Sequence, residues 1–173
     1  MITGRSKFLA GAALALLLLG SQAASAKRVT VVPGDRPITV DVPNAWKVAV
    51  VERGIQIRTA DEEVYLWFES YRPAQFQTLL NEHNAYFKNQ GVRVVGAETA
   101  KQVDFPTYLL KVTECPATYE GKPTVLRYIS VVPKAEGERL LLVSYWASPA
   151  GDKKYDGETQ GILNSLAASY EGK

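Results

Sequence analysis

"EVYLWFESY", residues 63–71, is apolar at odd and even positions alike. In an extended chain Val64, Leu66 and Phe68 fall on one side, and Tyr65, Trp67 and Tyr71 on the other. A strand with one wet face alternates, whereas one that is apolar on both faces is covered on both. "RLLLVSYWA", residues 139–147, reads the same way, with Tyr145 and Trp146 pointing to opposite sides. Two such strands predict an α+β domain in which an antiparallel β-sheet is flanked by helices, an α/β/α sandwich.

Working upstream, "GIQIRTA" (54–60) alternates as a half-buried strand does, and "WKVAVV" (46–51) precedes it across Glu52, Arg53 and Gly54. Before these, "VTVV" (29–32) and "PITVDV" (37–42) flank the turn formers Pro33 to Arg36 and predict a hairpin. The joint between the hairpin and the next strand is "VPNAWK" (42–47). Pro43 and Asn44 end one strand, and Trp46 opens the next with a ring large enough to cover the end of the core.

Downstream, Pro73 suits the first turn of a helix. Phe76, Leu79, Leu80, His83 and Phe87 then recur at three- and four-residue spacing, and Gly91 follows where a helix cap belongs. Residues 92–103, 107–119 and 124–132 read as three further strands, joined by intervals short enough for antiparallel hairpins. In the tail, Tyr155, Thr159, Ile162, Leu163, Leu166 and Tyr170 share a helical face. Gly157 and Gly161 weaken that helix by about 1 kcal/mol each relative to alanine, so it is expected from about Gly161 onward.

The first residues carry Arg5 and Lys7, an apolar run from Phe8 to Leu19, and small residues ending in Ala24-Ser25-Ala26. This is the three-part pattern of a cleavable signal peptide over residues 1–26, and it predicts a periplasmic or secreted chain beginning at Lys27. The apolar run is shorter than the roughly 20 residues that span a bilayer, so no permanent membrane anchor is expected. The whole chain has 20 basic and 18 acidic residues, and losing Arg5 and Lys7 makes the remainder formally neutral. Without surplus positive charge, nucleic acid is not an expected partner. Residues 27–173 are the size of one domain that can bury its own core.

Little in the chain announces chemistry. Cys115 is the only cysteine and His83 the only histidine, which leaves no disulfide and no zinc site of the usual nitrogen and sulfur kind. Cys115 is expected inside as a small apolar group, and His83 on the buried face of its helix. A Cys115–His83 nucleophile pair is the remaining thiol alternative. Asp61, Glu62 and Glu63 form a turn cluster, read as solvated charge because the spacing lacks a calcium loop. No phosphate loop, dinucleotide fingerprint or nucleophile elbow appears, and no cofactor or metal is expected. The candidate ligand- or partner-binding residues are Tyr65, Trp67 and Tyr71, whose rings combine an apolar body with a polar tip. Packing beneath a helix is the alternative for the same three rings.

The order of elements adds a resemblance. A leader, a hairpin, the P-x-x-W turn at Pro43 to Trp46, a two-strand meander, a long helix, four antiparallel strands and a helix carrying "ILNSL" (162–166) succeed one another. Over roughly Ile38 to Ser169 this resembles the PsbP-like superfamily. That group includes extrinsic photosystem II subunits, a nuclear-import factor that binds the GTPase Ran, and exported bacterial proteins of unassigned role, DcrB-like ones among them. The resemblance implies an α/β/α sandwich used for binding and carries no catalytic residues. The metal-linked role of the photosynthetic members does not transfer, because no ligand set matches here. The expectation is a non-catalytic exported accessory protein that binds a protein or envelope component. The alternatives are a carrier for a small apolar ligand, with an enclosed pocket lined by Tyr65, Trp67 and Tyr71, and third a thiol or hydrolytic enzyme.

Overall fold

The computed structural model describes residues 25–172, so the expected leader lies outside the described residues except for Ser25 and Ala26. Two strands, β1 (Ala26–Val32) and β2 (Ile38–Pro43), form the N-terminal hairpin as a separate two-stranded sheet. The main sheet is built from β3 (Lys47–Val51), β4 (Gly54–Arg58), β5 (Val64–Tyr71), β6 (Val92–Val94), β7 (Thr99–Asp104), β8 (Tyr108–Tyr119), β9 (Lys122–Pro133) and β10 (Leu140–Ala147). Its order is β3-β4-β5-β10-β9-β8-β6, with β7 also on β8, and every pair is antiparallel. The helices are α1 (Phe76–Asn89), entered through a 3-10 turn at Pro73–Gln75, α2 (Pro149–Lys154) and α3 (Asp156–Tyr170). None of the described helices is long and apolar enough to cross a membrane.

The two strands that are apolar on both faces are the centre of this sheet. β5 and β10 pair from Tyr71 opposite Leu140 to Val64 opposite Ala147, and each has a neighbour on its other side. One face carries Val64, Leu66, Phe68, Leu141, Val143 and Tyr145, and packs on Ile162 and Leu166 of α3 and on Val40 and Val42 of the hairpin. The opposite face carries Trp67, Tyr71, Leu126, Tyr128 and Leu142, and packs on Leu79 and Phe87 of α1. The result is a sandwich of helix, sheet, and helix with hairpin.

Trp46 plugs the first of these cores. It is 2 % exposed, meets Tyr155 edge to face at 5.7 Å, and donates its indole N–H to Glu158 at 2.6 Å. Its backbone N–H closes the turn onto the Pro43 carbonyl at 2.9 Å. Buried indoles need such an acceptor, and Glu158 supplies it from the first turn of α3.

Two elements differ from expectation. The terminal helix begins at Asp156, five residues before Gly161, after a short α2 capped by Ser148, whose hydroxyl accepts from the Gly151 N–H. Tertiary contacts outweigh the cost of the glycines there: Thr159 is buried and Glu158 is bound to Trp46. The stretch 92–103 is two strands rather than one, broken opposite Cys115 and Pro116. Pro116 has no N–H to offer the ladder, although its carbonyl still accepts from Val95 at 2.8 Å.

Candidate functional site

The rings of Tyr65, Trp67 and Tyr71 share one side of β5, but they do not share one environment. Trp67 is 7 % and Tyr71 2 % exposed, because α1 lies over them. Phe87 is the centre of that contact: its ring meets Trp67, Tyr128 and Trp146 edge to face at 5.5, 6.4 and 6.0 Å. Phe76 covers Tyr71 at 5.4 Å. The apolar face of α1 therefore fills the middle of what would be a groove, and of the three residues only Tyr65 reaches open surface.

Beyond the end of α1 the face is uncovered. Tyr65 stacks on Trp67 at 5.7 Å and on its cross-strand neighbour Trp146 at 5.5 Å, and Tyr119 meets Trp146 edge to face at 5.3 Å. Tyr65, Trp146 and Tyr119 line an open cleft of about 780 Å³ with Glu62, Glu63, Glu120, Lys122 and Ser148. The cleft exists because β10 ends at Ala147, opposite Val125, while β9 continues outward to Lys122. The β8–β9 hairpin thus overhangs the end of the sheet. Its tip is a two-residue turn in which Glu120 and Gly121 both have positive φ, the geometry that matches strand twist, and it sets Tyr119 opposite Lys122. Trp146 is fixed by donating its indole N–H to Thr124 at 3.0 Å.

The three carboxylates of the Asp61–Glu63 turn part company. The Thr59 hydroxyl accepts from the N–H groups of Glu63 and Val64, and Glu62 adopts a positive φ, so the side chains diverge. Asp61 accepts from Lys154 at 2.8 Å and Tyr155 at 2.7 Å, and these bonds hold its carboxyl far below the usual range. Glu62 pairs with Arg58 at 3.1 Å and accepts from the Tyr65 hydroxyl at 3.2 Å. Glu63 accepts from the Ser148 hydroxyl, and its carbonyl accepts from the Ser148 N–H at 3.0 Å. Among the described residues no group of three or more histidine, cysteine or acidic side chains is arranged to hold a metal ion.

The thiol and the imidazole are held by different partners. Cys115 is 3 % exposed, and burial, with Glu98 nearby, pushes its thiol up to about 12, away from the nucleophilic thiolate. His83 bonds Glu69 through Nε2 on the buried side of α1. Arg53 joins the pair, with its Nε 3.3 Å from Glu69, and also bonds Glu82. This cluster ties α1 to the sheet.

Sequence reasoning did not assemble Tyr119, Trp146, Glu63 and Ser148 into one place. The order of β5, β10, β9 and β8 brings them together, and only the alternation around Trp146 hinted at it.

This sandwich is the PsbP-like fold. The chain is similar to the solution structure of cyanobacterial PsbP from Synechocystis sp. PCC 6803, with a TM-score of 0.55 over 84% of this chain and 94% of that one, at 11% identity. A likeness at that identity is one of fold. A protein of unknown function from Pseudomonas aeruginosa, described as a putative regulator, is a more distant match, with a TM-score of 0.38 at 10% identity over 80% of this chain and 93% of that one. No protein-family model and no curated protein matches the sequence.

Proposed function

We propose that this is a non-catalytic accessory protein, exported to the periplasm or beyond after removal of residues 1–26, that binds a protein or envelope component. The binding surface in this reading is the cleft at Tyr65, Trp146 and Tyr119. The observation that carries it is an open aromatic cleft at the end of the buried β5–β10 pair. Interfaces are enriched in such rings, which bring large contact area at low entropic cost. The alternative, a carrier for a small apolar ligand, calls for an enclosed pocket lined by Tyr65, Trp67 and Tyr71. The cleft is open, and Trp67 and Tyr71 pack under α1, which favours the interaction reading. The non-catalytic part is supported by the separate, buried settings of Cys115 and His83.

Affinity capture from envelope extract tests this. The chain and a Lys101→Ala variant on the distant β7 are expected to retain the same partner, and a Tyr119→Ala variant to lose it. Tyr119 is 37 % exposed, so its loss leaves the fold intact. Equal capture by all three would overturn the reading.

A further inference from the structure

We infer that the cleft receives a cationic side chain, a lysine or arginine on an extended segment of a partner protein, with Glu63 as the group that pairs with its charge. This rests on the interaction reading above and adds the chemistry of what enters.

The carboxylates of the lining are not equivalent. Glu62 is already matched by Arg58 at 3.1 Å and Lys47 at 3.8 Å. Glu63 and Glu120 form no ion pair among the described residues, so with Lys122 as the one cation of the lining the cleft keeps an excess of negative charge. Glu63 is half-buried and fixed in place. The Ser148 hydroxyl holds one of its oxygens, and α2 presses against its backbone through Gly151, where an added Cβ would lie 2.7 Å from the Glu63 carbonyl and Cβ. A carboxylate held this way has little orientational freedom left to lose on pairing.

The neighbouring rings fit the other part of such a side chain. Lysine and arginine bury an aliphatic stem along apolar surface while the charged head reaches a polar partner. Trp146 and Tyr119, with Pro123 and Pro149 beside them, offer that surface. A charge-assisted hydrogen bond at a partly desolvated carboxylate is stronger than a neutral one and excludes acidic partners. An aromatic cleft without Glu63 would select only for apolar bulk.

The test uses the chain and three blocked pentapeptides of alanine with lysine, norleucine or glutamate at the centre, titrated at low salt by tryptophan fluorescence. The lysine peptide is expected to bind roughly tenfold tighter than the norleucine peptide, the equivalent of one added charge-assisted bond. Glu63→Gln should bring that ratio to about one without moving the thermal midpoint, and Lys101→Ala on β7 should leave it unchanged. Equal binding of lysine and norleucine, preference for glutamate, or no binding of any peptide would overturn the inference. Capture by the Tyr119→Ala variant separates the two ideas. If capture depends on Tyr119 and lysine is not preferred, only the cationic assignment falls. If capture ignores Tyr119, the cleft itself is the wrong surface.

Discussion

Tyr65 and Trp146 stand opposite each other on β5 and β10 with ring centroids 5.5 Å apart and planes 23° from parallel. The pair ends the aromatic row that α1 covers further in, and Tyr119 closes it from the β8 side. Trp146→Ala removes the shared wall. A fully buried tryptophan would cost 3–5 kcal/mol on truncation, and for this half-buried ring about 2 kcal/mol is expected, with loss of partner capture. Denaturant unfolding and the capture assay measure the two effects separately.

The Trp46–Glu158 bond makes a second, purely structural prediction. Trp46→Ala should cost about 3–5 kcal/mol, since the ring is buried. Glu158→Ala should cost about 1–2 kcal/mol by leaving the indole N–H without its acceptor. Neither position lines the cleft, so peptide binding by the folded fraction should not change. Chemical denaturation of both variants checks this.

The Glu69–His83–Arg53 cluster sets an acid dependence. Burial alone would raise the Glu69 carboxyl, but the bond and charge of His83 and the charge of Arg53 outweigh it and hold it below its ordinary 4.5. The unfolded chain therefore takes up this proton first as pH falls. The stabilisation is complete above about pH 4.5 and is withdrawn as pH drops through the lower folded value. Glu69→Gln should flatten this part of the acid limb of a stability–pH curve. Glu69→Ala should cost about 3 kcal/mol at neutral pH by leaving the buried His83 without its partner.

Cys115 should behave as a core residue. A thiol pushed up to about 12 and shielded from water is expected not to react with a disulfide reagent at pH 8 until the chain unfolds. Cys115→Ala should cost about 1 kcal/mol, as the loss of one small buried group does, and leave binding intact. Fast native labelling would reopen the thiol reading.

Gly151 permits the close approach of α2 to the Asp61–Glu63 turn. An alanine there would place Cβ 2.7 Å from the Glu63 backbone, so Gly151→Ala should cost about 1–3 kcal/mol and weaken the lysine-peptide preference by moving Glu63. Unfolding and peptide titration of the same variant report both.

The layered fold was legible because its cause is local. Residues that alternate apolar on both faces, as in 63–71 and 139–147, have to lie between two covers, and the spacing from Phe76 to Phe87 supplies one of them. The break at Val95 to Glu98 was not legible, because it depends on Pro116 standing across from it in β8. The early start of α3 depends on Trp46, more than a hundred residues away in sequence. The cleft was the least legible feature. It is made by strand ends of unequal length, and periodicity within a strand says nothing about which neighbour outruns it. The Tyr65 ring, legible on one side of its strand, lies there. The rings of Trp67 and Tyr71 carry the same signal in sequence, and α1 packs on them.

The most direct test is an amide hydrogen-exchange map of the chain with and without its captured partner. Added protection is expected at Tyr65, at Tyr119 to Thr124 and at Trp146 to Ser148, with none along the open edges of β3 or β7. Protection confined to Lys47–Val51 or Thr99–Asp104 would show that the partner adds to a sheet edge, and would contradict the assignment of the cleft.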